Sequence, residues 1–194
     1  MKKQRLEAFS DGVIAILITI MVLELRIPSG VDLASLRPLT PVFLTYVLSF
    51  LFLGIYWSNH HHMLYATDRI NGGILWANLH LLFWLSLVPF VTGWMGQNHF
   101  VSLPTAVYGV VLLMASIAYY ILERLIIAEH GPGSELDAAV GMDRKGIASS
   151  LLYTAAIPLA FLSAKVSLAL YVLVALMWLV PDSRIESRLR RPAQ

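Results

Sequence analysis

From Ile70 to Leu122 the chain runs 53 residues without an Asp, Glu, Lys or Arg. A soluble fold cannot bury so much uncharged chain and still have polar surface to show to water. A helix crossing a bilayer takes about 20 apolar residues, so this stretch is too long for one span and long enough for two. Thr92–Pro104 (TGWMGQNHFVSLP), polar and glycine-containing, is the natural break. Spans are therefore predicted near 70–93 and 103–123. Residues 38–67 are also free of charge and predict a span over 38–66. Two more fall near 146–163 and 166–181, joined through Ser163, Ala164 and Lys165 as a tight hairpin, with Lys165 snorkelling to the interface.

Composition closes off the alternatives. Of the 194 residues, 58% are hydrophobic and only 13% charged, against about 25% in soluble domains. Disorder is excluded on the same ground. Without cysteine there is no disulfide framework, iron–sulfur cluster, thiolate zinc site or cysteine nucleophile. The net charge of +2 is no nucleic-acid signal, because the basic residues gather mainly at the two ends of the chain.

The N-terminal segment is unusual. Only Gly12 to Leu23 are uncharged, yet Arg5 to Ile27 reads as one helix near 5–27, about 34 Å long. A span carrying Arg5, Glu7, Asp11 and Glu24 should face other helices or water rather than lipid all round. Six spans result, in an all-α membrane protein over residues 1–183, followed by a basic tail at 184–194. With the N-terminus in the cytoplasm, eleven Lys and Arg lie inside and three (Arg26, Arg37, Lys165) outside. This predicts a multi-pass membrane protein with both termini cytoplasmic. The 124–145 stretch reads as the longest inner loop. No internal repeat of the transporter type is present.

At 100° per residue, Arg5, Phe9, Gly12, Ile16, Thr19, Ile20 and Leu23 share one face of the first helix. Two readings fit that stripe. In one it is a packing face, with the Thr19 hydroxyl bonded back to its own helix. In the other it lines a pore, with apolar rings as a constriction and Thr19 offering an oxygen to a passing ion. Periodicity does not choose between them.

The segment Arg5-Leu-Glu-Ala-Phe9-Ser10-Asp11-Gly12 spells R-x-x-x-F-S-D-G at the head of the first span. It resembles the signature of the potassium channels typified by the endolysosomal transmembrane protein 175 and its short prokaryotic relatives. Trp57-x-x-His60-His61, Asn78-Leu79 and Pro89-Phe90-x-Thr92 extend the resemblance, which covers all six spans. It implies a potassium channel, one repeat per chain and therefore a homotetramer, with the first helix lining a central pore. No T-V-G-Y-G filter occurs. The resemblance instead assigns the narrowest ring to Ile16, further apolar rings to Ile20 and Leu23, and the pore hydroxyl to Thr19. Ala15 stands where some members carry a serine, so a modest preference for potassium over sodium is expected.

The remaining polar residues fit support rather than chemistry. Arg5 and Asp11 lie on different faces of one helix, so each needs a partner elsewhere; His60, His61, Asn78 and His80 are the candidates. Together with Phe9 and Ser10 they are read as a network that orients the pore helix. His60-His61-His62 cannot converge on one metal, no H-E-x-x-H pair exists, and Ser10 points about 100° from Asp11, so neither metal site, cofactor nor enzyme is expected. The tail Arg184–Arg191 is expected to meet anionic inner-leaflet lipid rather than nucleic acid. A proton-coupled transporter using Asp11 and the histidines is the alternative function.

Overall fold

The computed structural model describes residues 2–65, 67, 69–131, 134, 137 and 143–179. Among these, the ordered elements are helices: α1 (Lys3–Ile20), a 3-10 turn (Met21–Glu24), a second 3-10 segment (Leu33–Leu39), α2 (Thr40–Tyr65), α3 (Gly72–Ser86), α4 (Val88–Gln97), α5 (Ser102–His130), α6 (Arg144–Leu162) and α7 (Ala164–Leu179). Five stretches are long and apolar enough to cross a membrane, with α3 and α4 counted together, and α7 is a shorter apolar helix. The architecture is that of an all-α, multi-pass membrane chain with six hydrophobic segments.

Several boundaries differ from the sequence reading, each for a local reason. The first α-helix ends at Ile20 rather than Ile27; the chain tightens into the 3-10 turn and Leu25 is extended. At about 1.5 Å per α-residue and about 2 Å per 3-10 residue, Lys3–Glu24 still reaches about 35 Å. The third segment runs past Thr92 to Gln97, so the connection before α5 shrinks from Thr92–Pro104 to Asn98–Val101. His99 and Phe100 turn it with φ of 51° and 60°, and the N–H groups of residues 98–101 fold back onto carbonyls at 94–98. The break inside this segment falls at Leu87, because Pro89 has no N–H to give to Leu85. The fourth span overruns its expected end at 123 by two turns and stops at His130, where Gly131 takes φ +84°. The expected 124–145 loop is shortened accordingly. Between α6 and α7 only Ser163 leaves the helix.

α5 is the axis of the bundle, packing on α3, α4, α6 and α7, while α2 joins α1 and α4 to α7. The core between them holds Ile14, Leu53, Ile74, Leu81, Tyr108, Ala115 and Tyr171, all with no exposed surface. Two glycines are needed for helix approach. A Cβ at Gly96 would lie 2.8 Å from the Val42 Cα, and one at Gly109 would collide with the Tyr171 hydroxyl. That hydroxyl crosses the interface to the Thr105 carbonyl. Hydrogen bonds of Lys3 to Tyr65 and of Asn71 to Glu129 tie together the end of the bundle where the chain begins. The tail at 184–194 lies outside the described residues.

Candidate pore face and its supporting network

α1 presents two opposed faces. Leu6, Ser10, Ile14 and Leu17, followed by Met21, are buried against α2, α3 and α4. The stripe picked out by the helical wheel is the other face, and all of it is uncovered in the single chain. Phe9 is 51% exposed, Ile16 62%, Ile20 46% and Leu23 78%, and Arg5, Gly12 and Thr19 are exposed with them. The stripe is not a plain lipid face. It begins with a guanidinium, which enters neither of the ion pairs among the described residues. A Cβ at Gly12 would meet nothing within 4 Å, so the folding of one chain does not require glycine there. The Thr19 hydroxyl hydrogen donates to the carbonyls of Ala15 and Ile16, both at 3.0 Å. With that hydrogen spent on the backbone, the outward side of the oxygen is purely an acceptor. The two readings of Thr19 are thus compatible in one geometry.

Behind the stripe runs a buried hydrogen-bond chain. The His60 Nε2–H donates to Asn78 Oδ1 at 2.7 Å, and Asn78 Nδ2 donates to Ser10 Oγ at 3.0 Å. All three residues are essentially without exposed surface. The chain clamps α1 to α2 through α3, and it fixes the rotation of α1 because Ser10 lies about 120° round the helix from Ile16, off the exposed stripe. Asp11 takes a different partner from those weighed in sequence: its Oδ1 accepts from the Trp57 indole at 3.0 Å. The Trp57 ring in turn stacks on His61. The structure brings Ser10, His60 and Asn78 together in one chain and sets Asp11 beside His61 through Trp57. It leaves His80 apart, accepting from Trp84 on its own helix. Arg5 and Phe9 form no hydrogen bond or ion pair with any of these groups and belong to the uncovered face.

Sequence reasoning missed a second buried cluster, farther from the chain's start. Thr92 donates its only hydroxyl hydrogen to the Val88 carbonyl at 2.6 Å, so Ser49 must donate to Thr92 and Tyr108 to Ser49. α2, α4 and α5 are pinned through these hydroxyls, and Thr92 is the only one that the motif reading had singled out. The sole signal was Pro89-Phe90-x-Thr92; nothing in the pattern marks Ser49 or Tyr108.

With this geometry in place, comparison with known proteins decides the relationship. A protein named as a potassium channel from Chryseobacterium sp. (strain P1-3) is 52% identical over 190 residues, covering 98% of this chain and 99% of that protein. The family model described as endosomal/lysosomal potassium channel TMEM175 matches residues 5–89. The chain belongs to the TMEM175 family. A protein named as a potassium channel from Streptomyces collinus is 32% identical over 185 residues, 90% of each chain. Among solved structures, the crystal structure of a lysosomal potassium-selective channel TMEM175 homolog from Chamaesiphon minutus superposes with a TM-score of 0.80 at 28% identity. The match covers 92% of this chain and 96% of that one. The TMEM175 model spans α1 to the start of α4, the segment that carries the stripe and the Ser10–Asn78–His60 chain.

Proposed function

We propose that this TMEM175-family chain assembles as a homotetramer and conducts potassium through a pore lined by the uncovered face of α1. The observation that carries the reading is that face itself: a continuous apolar stripe, punctuated by Arg5, Gly12 and Thr19, left exposed among the described residues. The relatives named potassium channels support the ion. Four Ile16 side chains converging on an axis would make a ring too narrow and too apolar for hydrated potassium, so the closed state is dewetted there. Ile20 and Leu23 extend the apolar lining. Opening widens the ring by rotation or tilt of α1. Thr19, one turn beyond Ile16, presents four acceptor oxygens that replace part of the hydration shell. Potassium sheds water at lower cost than sodium, which gives a modest preference for it.

In this assembly Arg5 meets acceptors on a neighbouring copy. The Ser10–Asn78–His60 chain and the Asp11–Trp57 bond are positioning devices and do not touch the ion. The protein sits in the plasma membrane of a prokaryote, in keeping with its bacterial relatives, and both termini are in the cytoplasm, following the distribution of Lys and Arg. The tail at 184–194 rests on anionic inner-leaflet lipid, nucleic acid is not a partner, and no cofactor takes part. Liposomes loaded with potassium chloride and diluted into sodium chloride, without a pH gradient, test the reading. A channel makes the interior negative and sustains flux at electrodiffusive rates. Flux that requires a proton gradient would favour the coupled transporter instead.

A further inference from the structure

Away from the α1 face, the bundle holds a cavity of about 380 Å³ between α2, α5 and α6, closed on one side by Trp178 of α7. That is the size of a small-ligand pocket. Its lining reaches the outside of the bundle at Ile117 and Tyr120 of α5 and at Ile147 and Leu151 of α6, all exposed, so the slot opens sideways toward the bilayer. Most polar groups along the walls are spent on one another: Ser116 bonds to Ser150, Thr154 to the Ser150 carbonyl, Trp178 to Ser149 and Tyr119 to the Asn59 carbonyl. Three are not. Tyr56, Asn59 and Tyr153 line the cavity, and neither the two phenol hydroxyls nor the Asn59 side-chain amide enters a hydrogen bond among the described residues. Tyr153 is only 3% exposed. Among the described residues, the polar side-chain atoms that are both sealed and without a partner are Glu123 Oε1 and Arg124 Nε. The hydroxyls of Tyr56 and Tyr153 and the Asn59 amide are therefore not sealed, and the open volume they border is the slot. Tyr56 and Asn59 share one face of α2, a turn apart. Tyr153 comes from α6, its ring edge-on to Phe52, one turn before Tyr56, at 6.3 Å.

We propose that this slot binds an uncharged long-chain amphiphile with a hydroxyl head: the Tyr56 and Tyr153 hydroxyls donate to the head's oxygen, the head donates to the Asn59 Oδ1, and the apolar chain leaves between α5 and α6 past Ile117 and Leu151. A hydroxyl has two lone pairs and one hydrogen, which matches the two donors and one acceptor that the wall offers. Water alone fits the slot poorly. Each enclosed water needs two to four polar partners, and three polar groups cannot supply them across a volume whose walls are otherwise apolar. Charged heads fit no better. At the end where α6 begins, the Asp143 carboxylate lines the slot and would repel an anion. The rings of Tyr120 and Trp178, which could hold a cation, are already taken by Arg124 and Lys145. The hydroxyl can come from a monoacylglycerol of the surrounding leaflet or from a free long-chain alcohol.

The absence of cysteine makes the site directly readable. Ser150→Cys places one thiol on the cavity wall of the full chain, reconstituted in phosphatidylcholine vesicles and probed with an apolar methanethiosulfonate. Dodecanol should slow modification saturably, and dodecane, of equal chain length without the oxygen, should not. Adding Tyr56→Phe and Tyr153→Phe together keeps the ring contacts with Tyr119 and Phe52 and removes no hydrogen bond of the described chain. The half-protecting concentration of dodecanol should rise roughly tenfold, the scale of two neutral hydrogen bonds. Replacing part of the phosphatidylcholine by a monoacylglycerol assigns the source. Slower modification without added alcohol identifies the bilayer lipid, and unchanged modification identifies the free alcohol. Equal protection by dodecane, no protection by dodecanol, or an unchanged half-protecting concentration in the double Phe variant overturns the proposal. The alcohol–alkane comparison decides the matter even if the Phe variants fail to fold.

Discussion

Two of the faces that the described residues leave exposed, one along α1 and one along α3 and α4, are made of different material. Along α3 and α4 the large exposed residues are Trp76, Leu79, Phe83 and Phe90, and the one small hydroxyl among them, on Ser86, is bonded back to the Phe83 carbonyl. Along α1 the exposed residues are Arg5, Phe9, Gly12, Ile16, Thr19 and Ile20. Lipid needs nothing beyond bulk and apolarity, so the first face is complete as it stands. The second carries a charge that lipid cannot satisfy and a gap that lipid has no use for. Exposure alone therefore does not separate a lipid face from an assembly face. The separation comes from the groups that would be wasted, or costly, against acyl chains. Behind the surface the two are tied together: the buried Ser10–Asn78–His60 chain clamps α1 to α3 through Asn78, among apolar neighbours such as Leu81 and Leu85.

The clamp is the most damaging place to break that difference. Asn78→Leu leaves the Ser10 hydroxyl and the His60 ring buried without a partner. It should cost about 3 kcal/mol or more, seen as a lower unfolding midpoint and loss of the oligomer in detergent chromatography. Arg5→Ala comes next. Tetramer yield should fall while the helical circular dichroism of the protein stays intact, since Arg5 has no ion pair within the chain among the described residues. If the mutant remains a stable tetramer with altered ion preference, Arg5 belongs to the permeation path instead. Trp57→Phe keeps the ring on His61 and removes the indole N–H from Asp11, a loss of about 1 kcal/mol measurable by thermal unfolding.

Much of this contrast could be read from the chain before any coordinates, and the reason is geometric. Seven residues recurring at helical spacing define a face whatever surrounds them, so the α1 stripe was legible. The partners of that helix were less so. Asn78 and His60 are reached through the family motif, but the motif pairs Asp11 with histidines or Asn78, and Trp57 enters only as the first residue of Trp57-x-x-His60-His61, with no role toward Asp11. An indole N–H is a single donor on a large apolar body, and composition gives it no weight as a ligand of a carboxylate. Ser49 and Tyr108 carry no periodic signal at all, being isolated polar atoms in apolar helices. The end of α5 was misplaced because Glu123 and Arg124 look like a membrane boundary. The following Leu-Ile-Ile-Ala run nevertheless favours helix, and Gly131 supplies the stop.

Smaller effects sharpen the comparison further. Thr19→Val keeps shape and removes the acceptor oxygen. The reversal potential under mixed potassium and sodium should move toward no discrimination, and Thr19→Ser should preserve most of the preference. An unchanged potential in Thr19→Val would place discrimination in the width of the Ile16 ring. Trp76→Leu and Phe83→Leu, on the lipid face, should leave stability within about 0.5 kcal/mol and flux unchanged.

The claim that the α1 stripe, and not the aromatic face, surrounds the ion path is tested most directly with single cysteines. Ile16→Cys would bring four thiolates around the axis, a soft-ligand set for cadmium, and Trp76→Cys would place the same group toward lipid. Potassium flux into liposomes is measured before and after cadmium, and again after a chelator. The account predicts that cadmium abolishes flux through Ile16→Cys, that the chelator restores it, and that Trp76→Cys is unaffected. Flux through Ile16→Cys that persists in cadmium, in protein shown to be tetrameric, would contradict it.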